Sequence, residues 1–153
     1  MKETLNNTES SNSTKPVLAN RLFKFRAWVK EQKRMIKVFG FNEYLVFEQT
    51  WDSPSIKENI FEIEDCHIMQ FTGFTDKKEV EIYEGDICKY HKNTSKWLVS
   101  YHFEVRFKNG AFYAYWEREM MGKLEQHWDL LSQKDMRNIR VVSDIFQSAQ
   151  TTS

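Results

Sequence analysis

Two short groups of cysteine and histidine offer the side chains that could coordinate zinc or form a nucleophile. Cys66 is followed at once by His67, and Cys88 is followed three residues later by His91. Neither spacing is usual for zinc, and on a strand both spacings place the two side chains on opposite faces. Burial of Cys88 at an apolar strand start would raise its pKa and leave the thiol unreactive. We therefore expect core thiols and surface imidazoles, with no metal site and no cofactor.

Acidic side chains are the second source of chemistry. The run consists of Glu58, Glu62, Glu64 and Asp65. Metal-dependent nucleases gather carboxylates, but a run of this kind is usually a solvated face. Gly85-Asp86 has no acid, base or nucleophile within sequence reach, which favours a role in a turn. A P-loop, a dinucleotide fingerprint and a nucleophile elbow are absent. The sequence therefore predicts no catalytic residues and a protein that is not an enzyme.

The stretch from Trp97 to Trp116 places aromatic and charged residues in a regular order. Apolar residues occupy every second position from Trp97 to Phe107, the period of a strand with one buried face. Asn109-Gly110 then suits the positive φ angles of a type I′ hairpin turn. The hairpin register follows from this turn. Its facing pairs are Lys108 with Ala111, Phe107 with Phe112, Arg106 with Tyr113, Val105 with Ala114, Glu104 with Tyr115 and Phe103 with Trp116.

The polar face of this hairpin carries the predicted binding residues Arg106, Tyr113 and Tyr115. Tyrosine and arginine dominate protein interfaces, so these residues could anchor a second copy of the chain or a host protein. Ordinary exposed sheet surface is the other interpretation, because aromatic residues favour strands.

A basic cluster supports an alternative function, a nucleic-acid-binding module. It comprises Lys30, Lys33, Arg34 and Lys37. Such a patch needs aromatic rings on the same face to stack bases, and Tyr113 and Tyr115 supply them only if the fold brings the two hairpins together.

Length and composition place the chain among small single-domain proteins. Its 153 residues suffice for one domain with a core. The 22 basic and 22 acidic residues cancel, which argues against a general nucleic-acid or membrane-surface binder. Two cysteines and the lack of an apolar leader indicate a reducing cytoplasm, and no stretch is long enough to cross a membrane. Residues 1–20 are rich in Asn, Ser and Thr, which predicts a disordered tail before a domain at 21–150.

Alternating apolar residues predict a mainly β fold, with α+β as the alternative. We expect antiparallel hairpins forming a curved sheet or small open barrel, with one or two short helices, one of them at Ser55–Phe61. Residues 117–133 fit either a helix face or a hairpin turned at Gly122-Lys123, and the hairpin is favoured. A last strand is expected at Ile139–Val142, with Ser143–Ser153 trailing off.

Several motifs, in order along residues 21–150, resemble the YopX family of phage and prophage proteins. They are Lys24–Trp28, Met69–Lys77, Glu81–Ile87 and Val105–Tyr113. The segment Val141–Gln147 lies at the family's closing motif but lacks its Gly and Glu-Asn. The resemblance implies a cytoplasmic protein of a bacterial host, expressed from a phage or prophage, with unassigned function and no catalytic residues to carry over. It also implies self-association, so a homo-oligomer is expected.

Overall fold

The computed structural model describes residues 22–50 and 59–150, which form two antiparallel sheets and one short helix. The first sheet has six strands in the order β4-β3-β2-β1-β5-β6. These strands are β1 (Phe25–Val29), β2 (Arg34–Phe41), β3 (Leu45–Glu48), β4 (Ile60–Glu62), β5 (Cys66–Thr75) and β6 (Glu81–Tyr83). The predicted mainly β fold is confirmed, and the described strands do not close a barrel.

The second sheet has five strands in the order β10-β9-β8-β7-β11. These are β7 (Asp86–Asn93), β8 (Leu98–Lys108), β9 (Ala111–Met120), β10 (Lys123–Leu130) and β11 (Ile139–Asp144), with the helix α1 at Ile145–Gln150. Short 3-10 turns occupy Ile63–Asp65, Leu131–Gln133 and Met136–Asn138. α1 is too short to cross a membrane, as is every other helical segment of the described chain.

The central hairpin has the register that the sequence predicts. β8 and β9 pair from Glu104 with Tyr115 to Lys108 with Ala111, which confirms five of the predicted pairs. Asn109 and Gly110 have φ angles of 50° and 80°, as a turn with positive φ at both central positions requires.

Residues 117–130 form a hairpin, which confirms the prediction that favoured a hairpin over a helix for this segment. Its turn lies at Met121-Gly122, one residue earlier than expected, with φ angles of 52° and 75°. The expectation that the chain trails off after Ser143 is wrong, because β11 continues to Asp144 and α1 follows. The predicted tail at residues 1–20 lies outside the described residues. So does most of the helix predicted at Ser55–Phe61, although its last residues belong to β4.

Each sheet has its own apolar cluster. In the first sheet the buried members are Ala27, Val29, Ile36, Val46 and Cys66. In the second sheet the cluster also includes Ile82 of β6, and its members are Ile82, Cys88, Phe103, Val105, Ala114, Leu131 and Ile139. α1 connects the sheets from the side, because the ring of Phe146 stacks on that of Trp28 with centroids 5.1 Å apart.

Candidate functional site

The register of the second sheet brings the three predicted binding residues together on one face. Arg106 is opposite Tyr113, and Glu104 is opposite Tyr115. β10 extends this face, because Trp128 is opposite Tyr115. We call this group the cation–aromatic cluster, and its members are Arg106, Lys108, Tyr113, Tyr115 and Trp128.

Arg106 lies at the centre of the cluster. Its guanidinium carbon is 3.7 Å from the ring centroid of Tyr115 and 5.7 Å from that of Trp128. Nη2 donates a hydrogen bond to Oε2 of Glu104 at 2.7 Å, and this bond raises the pKa of Arg106. A stacked guanidinium remains charged and has further N–H groups that can donate to a partner. Arg106 is therefore held in position while part of its side chain remains accessible.

Tyr115 differs from the expectation of an exposed face, because it is only 7% exposed. β10 covers it, and the Tyr115 and Trp128 rings have centroids 4.5 Å apart. The Tyr115 hydroxyl donates to Glu117, and this bond raises the pKa of the phenol. Tyr113 is half-buried and meets Trp128 edge-on at 6.1 Å. Tyr115 is thus the buried member of the cluster, and the other members form its surface.

Trp128 is the member that the sequence analysis did not assign to the site. A two-residue turn at Gly122-Lys123 would place Leu130 opposite Tyr115, whereas the observed turn at Met121-Gly122 places Trp128 there. The Nζ atom of Lys108 lies 4.4 Å from the Trp128 ring centroid. Trp128 therefore contacts two cations, Arg106 and Lys108. The hairpin predicted for 117–133 pairs this segment with β9, and that pairing is the sequence signal that could have added Trp128 to the site.

A cleft of about 390 Å³ lies beside the cluster, between the two sheets. Arg106, Lys108 and Trp128 line it from the second sheet, whereas His67 of β5 and Phe146 of α1 line it from the opposite side. Two carboxylates, Glu84 and Glu104, also face this space. Burial raises the pKa of Glu84, and the charge of Glu104 adds to the rise. The cleft therefore combines cations, carboxylates and aromatic rings.

The turn at Tyr83–Asp86 holds together the two sheets that line the cleft. Arg26 of β1 donates from Nη2 to Oδ1 of Asp86 at 2.6 Å, which joins the two sheets. The amide of Gly85 donates to the carbonyl of Val105 at 2.8 Å, so the turn is also bound to β8. Burial raises the pKa of Asp86, and Arg26 opposes that rise. Gly85-Asp86 has the structural role that its sequence favours.

The cysteines and histidines lie apart. Cys66 belongs to the first sheet and Cys88 to the second; both are free and buried, and burial raises the pKa of both thiols. His67 and His91 are exposed. Across residues 22–50 and 59–150, no three acidic, cysteine or histidine side chains are grouped to hold a metal ion.

The basic cluster and the acidic run do not join the cation–aromatic cluster. Lys30, Lys33, Arg34 and Lys37 belong to the β1–β2 hairpin of the first sheet. Arg34 is held by Glu48 through two hydrogen bonds of 2.7 and 2.8 Å, which neutralise it. Of the acidic run, Glu58 lies outside the described residues, and the other members are exposed. The hairpins that a shared nucleic-acid surface would require therefore lie in different sheets.

These features define a two-sheet antiparallel β protein with a cation–aromatic surface beside an intersheet cleft. Residues 24–151 match the family described as YopX protein, and the chain belongs to that family. The chain is also similar to the crystal structure of protein EF1440 from Enterococcus faecalis, with a TM-score of 0.52 and 21% sequence identity. This match covers 86% of the present chain and 99% of the other, and it supports the fold. No curated protein matches the sequence.

Proposed function

We propose that this chain is a phage or prophage accessory protein that acts by binding, in the cytoplasm of a bacterial host, without a catalytic step. It associates with copies of itself and uses the cation–aromatic cluster to contact a second, host protein. Membership of the YopX family supports the phage origin. The observation that carries the binding role is the stacking of Arg106 on Tyr115 and Trp128 at the edge of an open cleft.

The cluster has the physical properties of an interface anchor. Tyrosine, tryptophan and arginine supply most of the large contributions to protein–protein binding. Glu104 and Tyr115 already hold the Arg106 guanidinium, so a partner that accepts its free N–H groups restricts little additional side-chain motion. The exposed Lys108 extends the contact to the neighbouring surface.

The charge of the cleft favours a protein partner over a nucleic acid. Arg106 and Lys108 face the same space as Glu84 and Glu104, so the cations and carboxylates balance. Binding to a phosphate backbone depends on cations that replace its counterions, and neighbouring carboxylates oppose that exchange. A protein surface with both signs of charge suits such a cleft better.

A pull-down from infected or lysogenic cells tests this role. The tagged full chain is compared with the double variant Arg106→Ser and Lys108→Ser, and with a control in which exposed Lys77 and Lys78 become serine. Both variants lose the same charge. We expect one protein partner to survive nuclease treatment, to be lost from the Arg106 and Lys108 variant, and to remain with the control.

Two results would contradict the proposal. One is an unchanged partner list for the Arg106 and Lys108 variant. The other is retention of the chain on DNA or RNA that falls steeply with salt and is abolished by the same variant, which would establish the nucleic-acid function instead.

A further inference from the structure

Three of the four edge strands in the two sheets are too short or too well covered to pair with another chain. β4 and β6 have three residues each. β11 has a register shift between Val141 and Ser143, and the β5–β6 turn covers its outer side. There Asp76 accepts a hydrogen bond from the amide of Val141, and the amide of Lys77 donates to the carbonyl of Ile139. Short strands, irregular pairing and covered edges are the usual protections against edge-to-edge association.

The fourth edge strand, β10, has none of these protections. It has eight residues and keeps one register with β9 along its whole length. Within residues 22–50 and 59–150, no strand pairs with its outer edge. A regular open edge of this length presents a row of backbone donors and acceptors that a further strand can bind. β10 is therefore the place where the second sheet can be extended.

The turn before β10 decides which of its residues offer backbone groups to that edge. In a hairpin with the two-residue turn Met121-Gly122, Lys123 exchanges bonds with Met120, and every second residue after Lys123 also bonds to β9. The residues between them direct their N–H and C=O groups outward. They are Leu124, Gln126, Trp128 and Leu130.

The sequence of β10 is complementary to itself in an antiparallel pairing centred on Gln126. Such a pairing sets each charged side chain opposite one of complementary type, and each apolar side chain opposite another apolar one. Gln126 directs its backbone groups outward, so two copies of it can exchange both bonds at the centre. The facing pairs are Lys123 with Asp129, Leu124 with Trp128, Glu125 with His127, and Gln126 with Gln126.

Neighbouring registers lose this complementarity. The outward bonds require steps of two residues, and one such step in either direction sets Glu125 opposite Glu125 or opposite Asp129. Like charges that face each other across two strands are destabilising. The charges of β10 therefore oppose pairing out of register and favour the pairing centred on Gln126.

The charged pairs of this register have room to form. They fall at positions that exchange no bonds between the copies, where facing side chains are closest. Asp129 accepts a hydrogen bond from Lys134 through Oδ2, which leaves Oδ1 to accept from Lys123 of the second copy. The carboxylates of Glu117 and Glu119 belong to β9, one strand further from the contact.

We propose that two copies of this chain pair antiparallel along β10, so that their second sheets join into one sheet of ten strands, five from each copy. The same surface of both chains forms the contact, so the dimer is two-fold symmetric and closed. Its axis is perpendicular to the sheet, which places the two cation–aromatic clusters on the same side. This pairing rests on the self-association in the proposed function and assigns its surface.

Cysteine cross-linking tests the register. Gln126→Cys places two thiols in a facing pair with Cα atoms about 5.5 Å apart, within the range of a disulfide. Leu124→Cys is the matched control on the same face of β10, because the two copies of position 124 lie about 14 Å apart in this register. Cys66 and Cys88 are buried in both variants. After mild oxidation we expect a covalent dimer of the Gln126→Cys chain and a monomer of the Leu124→Cys chain in a non-reducing gel.

Sedimentation tests the edge and its charges. We expect the native chain to have twice the mass of 18.4 kDa, and Lys78→Glu, at an exposed position away from β10, to keep it. Lys123→Glu sets like charges at both ends of the contact, and Gln126→Pro removes the two central N–H donors while leaving the bonds to β9. Each should raise the concentration for half-assembly at least tenfold, and circular dichroism checks that each variant is folded.

The failures of the two proposals are distinguishable. A native chain that remains monomeric at its solubility limit overturns self-association itself. A native oligomer keeps self-association but overturns this surface if Gln126→Cys fails to cross-link, if Leu124→Cys cross-links equally, or if a folded Gln126→Pro chain keeps the native mass. The variant with Arg106→Ser and Lys108→Ser should remain dimeric, because neither residue belongs to β10. A folded but monomeric form of that variant would place self-association at the cation–aromatic cluster and overturn the pairing along β10.

Discussion

The guanidinium of Arg106 lies 3.7 Å from the ring centroid of Tyr115, and this contact covers a residue that strand alternation places on the polar face of the hairpin. Tyr115 has the alternation of a solvent-facing residue, yet Arg106 and Trp128 both contact its ring and the residue is only 7% exposed. The same contact leaves Arg106 charged and oriented. One pair of residues therefore contributes to both the stability of the second sheet and its proposed binding surface.

The difference in burial predicts that the two tyrosines respond differently to truncation. Tyr115→Ser removes a buried ring and should lower the free energy of unfolding by about 2–4 kcal/mol. Tyr113→Ser should cost less than half of that, because Tyr113 is only half-buried. Urea denaturation followed by circular dichroism measures both values. Equal losses would mean that the ring of Tyr115 is no more buried than that of Tyr113.

The turn of the central hairpin predicts a cost for a side chain at Gly110. Its φ angle of 80° is strained for alanine, although no atom lies within 4 Å of the position that an added Cβ would take. Gly110→Ala should therefore destabilise the protein by about 1 kcal/mol through the backbone alone. Gly40→Ala is the matched control, because Gly40 also has open space around its Cβ position but lacks a positive φ. Thermal melts that show equal effects at both positions would contradict the turn assignment.

Local patterns were sufficient to predict the β8–β9 hairpin. The alternation from Trp97 to Phe107 and the Asn109-Gly110 turn specify both the strands and their pairing, because each depends only on neighbours in sequence. The next turn was misplaced by one residue, since Met121 adopts a positive φ that its residue type does not favour. The shift moves the pairing of β10 by two residues, so Trp128 is opposite Tyr115 where a turn at Gly122-Lys123 would place Leu130.

The features of the fold that the sequence did not predict depend on contacts between distant segments. The ion pair of Arg26 with Asp86 spans 60 residues, and no local pattern encodes it. The helix α1 was missed although Asp144 caps it, accepting hydrogen bonds from the amides of Phe146 and Gln147 at 2.9 Å. Its six residues gain stability mainly from packing, as Phe146 stacks on Trp28. Such a helix depends on the arrangement of both sheets.

Gly85 tests the contact between the two sheets. It has a φ of 79°, and a Cβ there would lie 3.3 Å from Sδ of Met69 and 3.4 Å from Cδ1 of Ile145. Gly85→Ala should therefore cost more than Gly110→Ala, at about 2 kcal/mol or above, because steric crowding adds to backbone strain. In a double-mutant cycle, the cost of Gly85→Ala should be smaller in a Met69→Ala background than in the native chain but should not vanish, since the strain persists. A cost that vanishes in that background would show that crowding alone was responsible.

Asp76 predicts how stability depends on acid. Its Oδ2 accepts a hydrogen bond from the amide of Val141 at 2.9 Å, and its Oδ1 accepts bonds from the amides of Lys78 and Val80 at 2.7 and 3.1 Å. The carboxylate therefore ties the turn between β5 and β6 to β11. Burial favours the neutral acid, but these amides favour the carboxylate and hold the pKa of Asp76 below its usual value.

Because the pKa of Asp76 is lower in the folded chain than in the unfolded chain, its carboxylate stabilises the fold at pH values above the unfolded pKa, about 3.9 for aspartate. This contribution is lost as pH falls through the folded pKa. Asp76→Asn should thus cost about 1–3 kcal/mol at pH 7, because the amide has one acceptor oxygen for bonds that used two. The difference between native and variant chains should shrink as pH falls below about 4. Asp135→Asn is the control, since Asp135 accepts its bonds within a local turn. Denaturation midpoints at several pH values measure the effect, and a constant difference between Asp76→Asn and the native chain across that range would refute this role for the charge.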